Sequence, residues 1–177
     1  AYPRLSGPGV VEAWAWIGEA FQQTGGDGRT QLDRALFLAP RSASVQALDG
    51  LYWIRQEQPK KALAAFERAA AIEPLNPAWQ VALGDAASAA TDLVTASIHY
   101  RSAVVLGPDD PSAWRALALF CLENDSDVNN TGVLAVRNLL RLAPDEWLTY
   151  DIAGRIALRI GAMQEAFAHL LKAVELA

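Results

Sequence analysis

Four of the nine prolines in this 177-residue chain, Pro40, Pro74, Pro108 and Pro144, stand at nearly equal intervals. The first two intervals are 34 residues and the last is 36. Two of these prolines close the same ladder of side chains. In "KKALAAFERAAAIEP" Ala62, Phe66 and Ala69 precede Pro74, and in "TASIHYRSAVVLGP" Ala96, Tyr100 and Ala103 precede Pro108. A repeat of this length constrains the fold strongly, because each unit is then one supersecondary element that buries its apolar faces only by stacking on its neighbours.

Proline lacks an N–H to donate and drives the preceding residue out of the helical region, so each ladder reads as a helix that stops where the proline stands. Each unit also opens with a second apolar-periodic segment that carries a glycine. Trp14, Ile17, Gly18 and Phe21 form one such stripe, Trp79, Leu83 and Gly84 another, and Tyr150, Ala153, Gly154 and Ala157 a third. Spacings of three and four place these residues on one helical face. The composition agrees: 52% of residues are hydrophobic, largely alanine, and only 8% are aromatic, which favours helix over sheet. The expectation is an all-α chain forming a single domain over residues 1–177, in units of about 9–42, 43–76, 77–110, 111–146 and 147–177.

This pattern resembles the tetratricopeptide repeat (TPR) family, whose unit is a hairpin of two helices with small residues where they cross and a closing proline. The resemblance covers residues 9–177, and 43–76 and 77–110 carry most of the motif. It implies a right-handed superhelical solenoid of about five hairpins, or about ten helices. Gly50, Ala62, Gly84 and Ala96 would stay small to let paired helices approach, while Phe66 and Tyr100 would fill the space between hairpins. Trp14, Trp79 and Trp114 fall where this family uses tryptophan for packing. There are three departures, one of them the turn "ENDSDVNNTG" at 123–132, which adds two residues to the fourth unit. Asp49 stands where the family has an apolar residue, which implies a rotated helix or a solvated edge, since a buried unpaired carboxylate is costly. The first unit is about two residues short if Gly18 is its helical glycine.

The formal charge of -5, from 15 basic and 20 acidic residues, and the lack of a clustered basic stripe argue against nucleic-acid binding. No apolar run is long enough to span a bilayer, so direct membrane insertion is not expected. The opening "AYPRLSGPGV" has neither the basic start nor the apolar core of a signal peptide. The chain reads as soluble, either cytoplasmic or the soluble part of a larger exported or membrane-anchored protein. It begins with Ala1, as a processed or excised piece would. The excess of arginine over lysine and the alanine content suggest a bacterial source with a GC-rich genome.

The residues do not supply a catalytic constellation. His99 and His169 lie about two repeats apart, too far to share a metal, and read as helix-edge residues. Cys121, the one cysteine, excludes an intramolecular disulfide and reads as core packing. "GGDG" at 25–28 lacks the Lys and Ser/Thr of a nucleotide cradle and serves as a turn. In "ENDSDVNNTG" Asp125, Asp127 and Asn129 alternate as in a calcium loop, but Asn130 and Val136 occupy the places of the turn glycine and the bidentate glutamate. A polar turn is the better reading. Asn124 and Asn129 also head N-x-S/T triplets, which matter only where secreted proteins are glycosylated. The expectation is a protein with no enzymatic activity, cofactor or metal.

The resemblance implies that the first helix of each unit lines a concave wall. Transferred by register, that wall holds Ala47, Leu51, Ile54 and Arg55; Val81, Asp85 and Ser88; Arg115, Leu119 and Leu122; and Asp151, Arg155 and Arg159, with Glu12 and Glu19 from the first unit. Where one subclass clamps acidic chaperone tails, this chain has Ala47, Leu51, Ala82, Ser112 and Ala116, which cannot bind a carboxylate through a charged or amide side chain. The expected partner is a protein or peptide held in the groove, with Arg115, Arg155 and Arg159 fixing acidic groups and Leu51, Val81 and Leu119 burying apolar ones. The last helix leaves Phe167, Leu171 and Val174 as an apolar edge. That edge suits either assembly into a larger bacterial enzyme or membrane complex, or a homodimer.

Overall fold

The computed structural model describes residues 8–177, with side chains described for Val11 and from Ala13 onward. Among the described residues there are ten α-helices, one π-helical turn and no strand. The helices fall into two compact units, residues 1–92 and 93–177. The first holds α1 (Pro8–Gln23), α2 (Arg29–Leu38), α3 (Ala43–Arg55), α4 (Pro59–Ile72) and α5 (Pro77–Ala89). The second holds α6 (Leu93–Leu106), α7 (Pro111–Glu123), the π-helical turn Val128–Gly132, α8 (Val133–Leu142), α9 (Trp147–Arg159) and α10 (Met163–Leu176).

Local chemistry sets the helix ends. Ser42, Asn76 and Asp110 cap α3, α5 and α7, accepting backbone N–H groups of Val45, Ala78 and Ser112 at 3.4, 3.1 and 2.8 Å. Pro77 and Pro111 follow two of these caps, where the missing N–H costs no helical bond. At the other end, Ala39, Glu73 and Ala143 each precede a proline and have left the helical region, with φ of -137, -126 and -134°.

A left-handed residue turns the chain between helices at Gly25, Glu57, Thr91, Asp125 and Gly161, with φ between 50 and 86°. Glycine adopts this conformation without penalty; Glu57, Thr91 and Asp125 do not. In the first unit Gly28, also left-handed, lies so close to the Gly18 backbone that no Cβ fits at either residue. This is how a hairpin two residues shorter than the next one still closes.

In residues 1–92 the core has two parts. Ala15, Leu32, Ala35, Val45, Leu48 and Tyr52 pack α1, α2 and α3 together. Ala43, Ala47, Ala62, Phe66, Ala69, Leu83 and Ala86 join α3, α4 and α5. Phe66 has two tasks, because its ring lies against Gly50 in its own hairpin and also belongs to the cluster that reaches α5. In residues 93–177 Tyr100 of α6 packs against Phe120 of α7 with ring centroids 5.1 Å apart, and Leu170 of α10 lies against Gly154 of α9 as Phe66 does against Gly50.

Asp49 corrects the sequence reading. It is neither on a rotated helix nor at a solvated edge, but only 3% exposed. Its carboxylate accepts from Arg29 Nη1 at 2.6 Å and Arg68 Nη2 at 2.9 Å, so its charge is compensated from α2 and α4. Gln46, equally buried, holds Arg68 Nε at 2.6 Å and donates to the Pro40 carbonyl at 2.9 Å.

Candidate functional site

On the first-unit face expected to meet a partner, Leu51 is 40% exposed, Ile54 and Val81 are half-buried, and Ala47 is buried. Asp85 is exposed and Ser88 half-buried. Glu12 lies outside the residues whose side chains are described. Arg55 is committed within the chain. Its guanidinium forks onto the Glu19 carboxylate, with one bond of 2.6 Å from Nη1 and a closer one from Nη2, and Nη1 also donates to Gln22 at 2.8 Å. The two expected wall residues Glu19 and Arg55 therefore pair α1 with α3. Arg55 holds the Glu19 carboxyl below its ordinary range, against the burial that would raise it.

In the second unit, Leu119 is half-buried and Leu122 buried. Arg115 pairs closely with Glu146, and Arg155 lies 3.5 Å from Asp151 one turn back. Arg159 reaches the loop after α7 and meets Asp125 at 2.8 Å. All three arginines expected to bind acidic groups thus have internal carboxylate partners. Arg115 is incompletely satisfied, because its Nε is buried without an acceptor. The loop 124–132 is itself knitted together: Asn130 and Thr131 donate to Asp127 at 2.8 and 2.5 Å, and Arg101 approaches Asp127 at 3.5 Å. These bonds hold the Asp127 carboxyl below its ordinary value.

Cys121 is buried among apolar neighbours, and that burial, with the Asp127 charge, pushes its thiol up to about 11. Trp79 and Trp114 donate from their indole nitrogens to Glu73 and to the Pro108 carbonyl at 2.9 and 2.8 Å. Arg34 lies over the Trp14 ring at 4.7 Å. Sequence reasoning missed the cluster around Trp53, whose ring meets Arg29 at 5.0 Å and Lys61 at 4.1 Å. Its signal, cations at helix starts beside an aromatic of another helix, is legible only once the helices are neighbours. At the last helix Phe167, Leu171 and Val174 are 71, 50 and 76% exposed.

No described helix is long and apolar enough to cross a membrane. No family model matches the chain, and no curated protein does. Solved structures do match. MamA from Desulfovibrio magneticus RS-1 superposes with a TM-score of 0.73 at 17% identity, over 94% of this chain and 94% of that one. YrrB, described as a TPR protein with an unusual peptide-binding site, gives 0.66 at 18% identity over 92 and 84%. PilW, a type IV pilus biogenesis factor, gives 0.77 at 18% identity over 90 and 74%. With its ten helices in the described residues and these superpositions, the chain has an all-α, TPR-like helical-repeat fold.

Proposed function

We propose that this chain is a non-catalytic scaffold that holds a partner protein or peptide against the exposed faces of its odd-numbered helices. The observation that carries this reading is Arg115, a half-buried arginine paired with the exposed Glu146 carboxylate, whose Nε has no acceptor. The guanidinium end is open to solvent beside Glu146, so a partner carboxylate can take that residue's place and make the same charge-assisted bonds. Val81 and Leu119 offer half-buried apolar contacts and Leu51 an exposed one. Arg155 and Arg159 hold acidic partners only at the exposed surface, where ion pairs are weak and exchangeable, so an incoming acidic group can replace Asp151 or Asp125. The peptide-binding description of the YrrB structure is in keeping with this.

The test is capture of peptides from a displayed library by the wild type, followed by Arg155→Glu with Arg159→Glu. The double reversal weakens binding of the selected peptides and leaves helicity unchanged. Unaltered affinity would remove the site from this face.

The exposed edge of α10 favours a second reading, in which the chain is an assembly or regulatory segment of a larger bacterial complex and associates through Phe167, Leu171 and Val174. The description of the PilW structure as that of a type IV pilus biogenesis factor is in keeping with this reading. Phe167→Asp with Leu171→Asp abolishes association on this reading and leaves it intact if the edge is idle.

A further inference from the structure

The joint between α4 and α5 shows what the open edge of α10 is shaped to meet. There Leu63, Phe66 and Ala70 of α4 and Trp79, Ala82 and Leu83 of α5 share one apolar cluster, which also buries Ala86. In register these α5 positions lie five, two and one residues before the helical glycine, and Ala86 two after it. In α3, α7 and α9 the same four positions lie buried, or half-buried in one case, beneath the helix that precedes each of them.

α1 is the exception. Counted from Gly18, the same positions are Ala13, Trp16, Ile17 and Ala20, and all four are exposed, Trp16 by 59% and Ile17 by 42%. The opposite half of the joint is open on α10. Positions equivalent to Leu63, Phe66 and Ala70 are Phe167, Leu170 and Val174; the outer two are more than 70% exposed and Leu170 is half-buried. One chain therefore carries both halves of a joint that it makes internally between other helices, each half apolar and largely exposed.

We propose that the occupant of the α10 face is α1 of a second copy, so that copies join head to tail through the contact that α4 makes with α5. This deepens the edge-association reading given above and rests on it. The contact is heterologous: each copy uses a different face, and the second face of every added copy stays available. Association is then open-ended rather than closing at a dimer. One helix pair buries an area at the low end for stable interfaces, so the assembly grows with concentration and dissociates on dilution.

The test is sedimentation velocity over a concentration series for the wild type, Trp16→Asp, Phe167→Asp and an equimolar mixture of the two variants. The wild type passes beyond dimer as concentration rises. Each variant alone is monomeric, its apparent dissociation constant raised at least about tenfold by the loss of a central aromatic contact. The mixture forms a dimer and stops there, because one intact α1 face meets one intact α10 face and the two remaining faces are spoiled. Ala20→Asp and Val174→Asp repeat the experiment from second positions, with circular dichroism confirming helicity in every variant.

A wild type that stays monomeric throughout would overturn the proposal. Association lost in Phe167→Asp but untouched by Trp16→Asp would overturn head-to-tail joining while leaving the edge reading in place, since a self-paired α10 edge behaves that way. Association that survives both substitutions would overturn both.

Discussion

The Phe66 ring occupies the space where a side chain on Gly50 would stand: a Cβ there would lie 2.5 Å from Cε1 of the ring. Phe66 is 2% exposed and held by alanines on three helices, so it has no room to retreat. Gly50→Ala is therefore expected to destabilise the protein by about 1–2 kcal/mol, overpacking of ~1–3 kcal/mol outweighing the ~0.5–1 kcal/mol that alanine gains within a helix. Gly154→Ala meets the flexible end of the half-buried Leu170 and costs less. Urea unfolding of both variants checks the order; a Gly50→Ala protein as stable as the wild type would show that the ring can move.

Asp49 compensates two arginines from a buried position, and the three groups are unequal. Its carboxylate side chain is 5% exposed, while those of Arg29 and Arg68 are 24 and 50% exposed. Asp49→Ala leaves Arg29 half-buried without this partner and is expected to cost about 2–3 kcal/mol, somewhat below the loss for a fully buried pair. Arg68→Ala, at the solvent side, costs under about 1 kcal/mol because Arg29 still holds the carboxylate. Equal losses in chemical denaturation would refute this account.

Thr91 has φ of 60°, in the left-handed region that a β-branched residue avoids. Its hydroxyl donates to the neighbouring Ala90 carbonyl, at 2.7 Å. Thr91→Gly is expected to stabilise the protein by roughly 0.5–1 kcal/mol, the relief of left-handed strain exceeding the added flexibility of the unfolded chain. A rise in thermal midpoint checks it, and a fall would mean the turn draws on the threonine side chain.

Glu19 links stability to acid. Hydrogen bonds from Arg55 hold its carboxyl below the ordinary value of 4.5, so the native state binds this proton less readily than the unfolded chain does. The stabilisation is complete above that value and is lost as pH falls through the lowered native one. Denaturant midpoints measured from about pH 6 downward should show this pair's contribution fading in the acid range, and Arg55→Met should remove that part of the slope. An unchanged slope in the variant would place the acid sensitivity elsewhere.

The proline period and the pre-proline helix ends were legible in the sequence because each is a local effect that acts within one turn of the chain. The small-residue positions were legible too, since Gly50 and Ala62 recur in register with Gly84 and Ala96. Asp49 was misread because its partners, Arg29 and Arg68, are 20 and 19 residues away on other helices. The arginines expected on the concave wall show the same limit. The register of the resembled repeat placed Arg55 and Arg159 on a wall, but not beside Glu19 and Asp125, which are 36 and 34 residues distant.

Sequence by itself thus determined where helices start and stop and which face of each is apolar, because hydrogen bonding at helix ends and side-chain period are properties of a short stretch. Only the tertiary structure decided which charges were already spent on each other and that the face of α1 with Trp16 and Ile17 was left uncovered. Both depend on the helices that pack side by side and on how far an arginine or a tryptophan reaches across the gap.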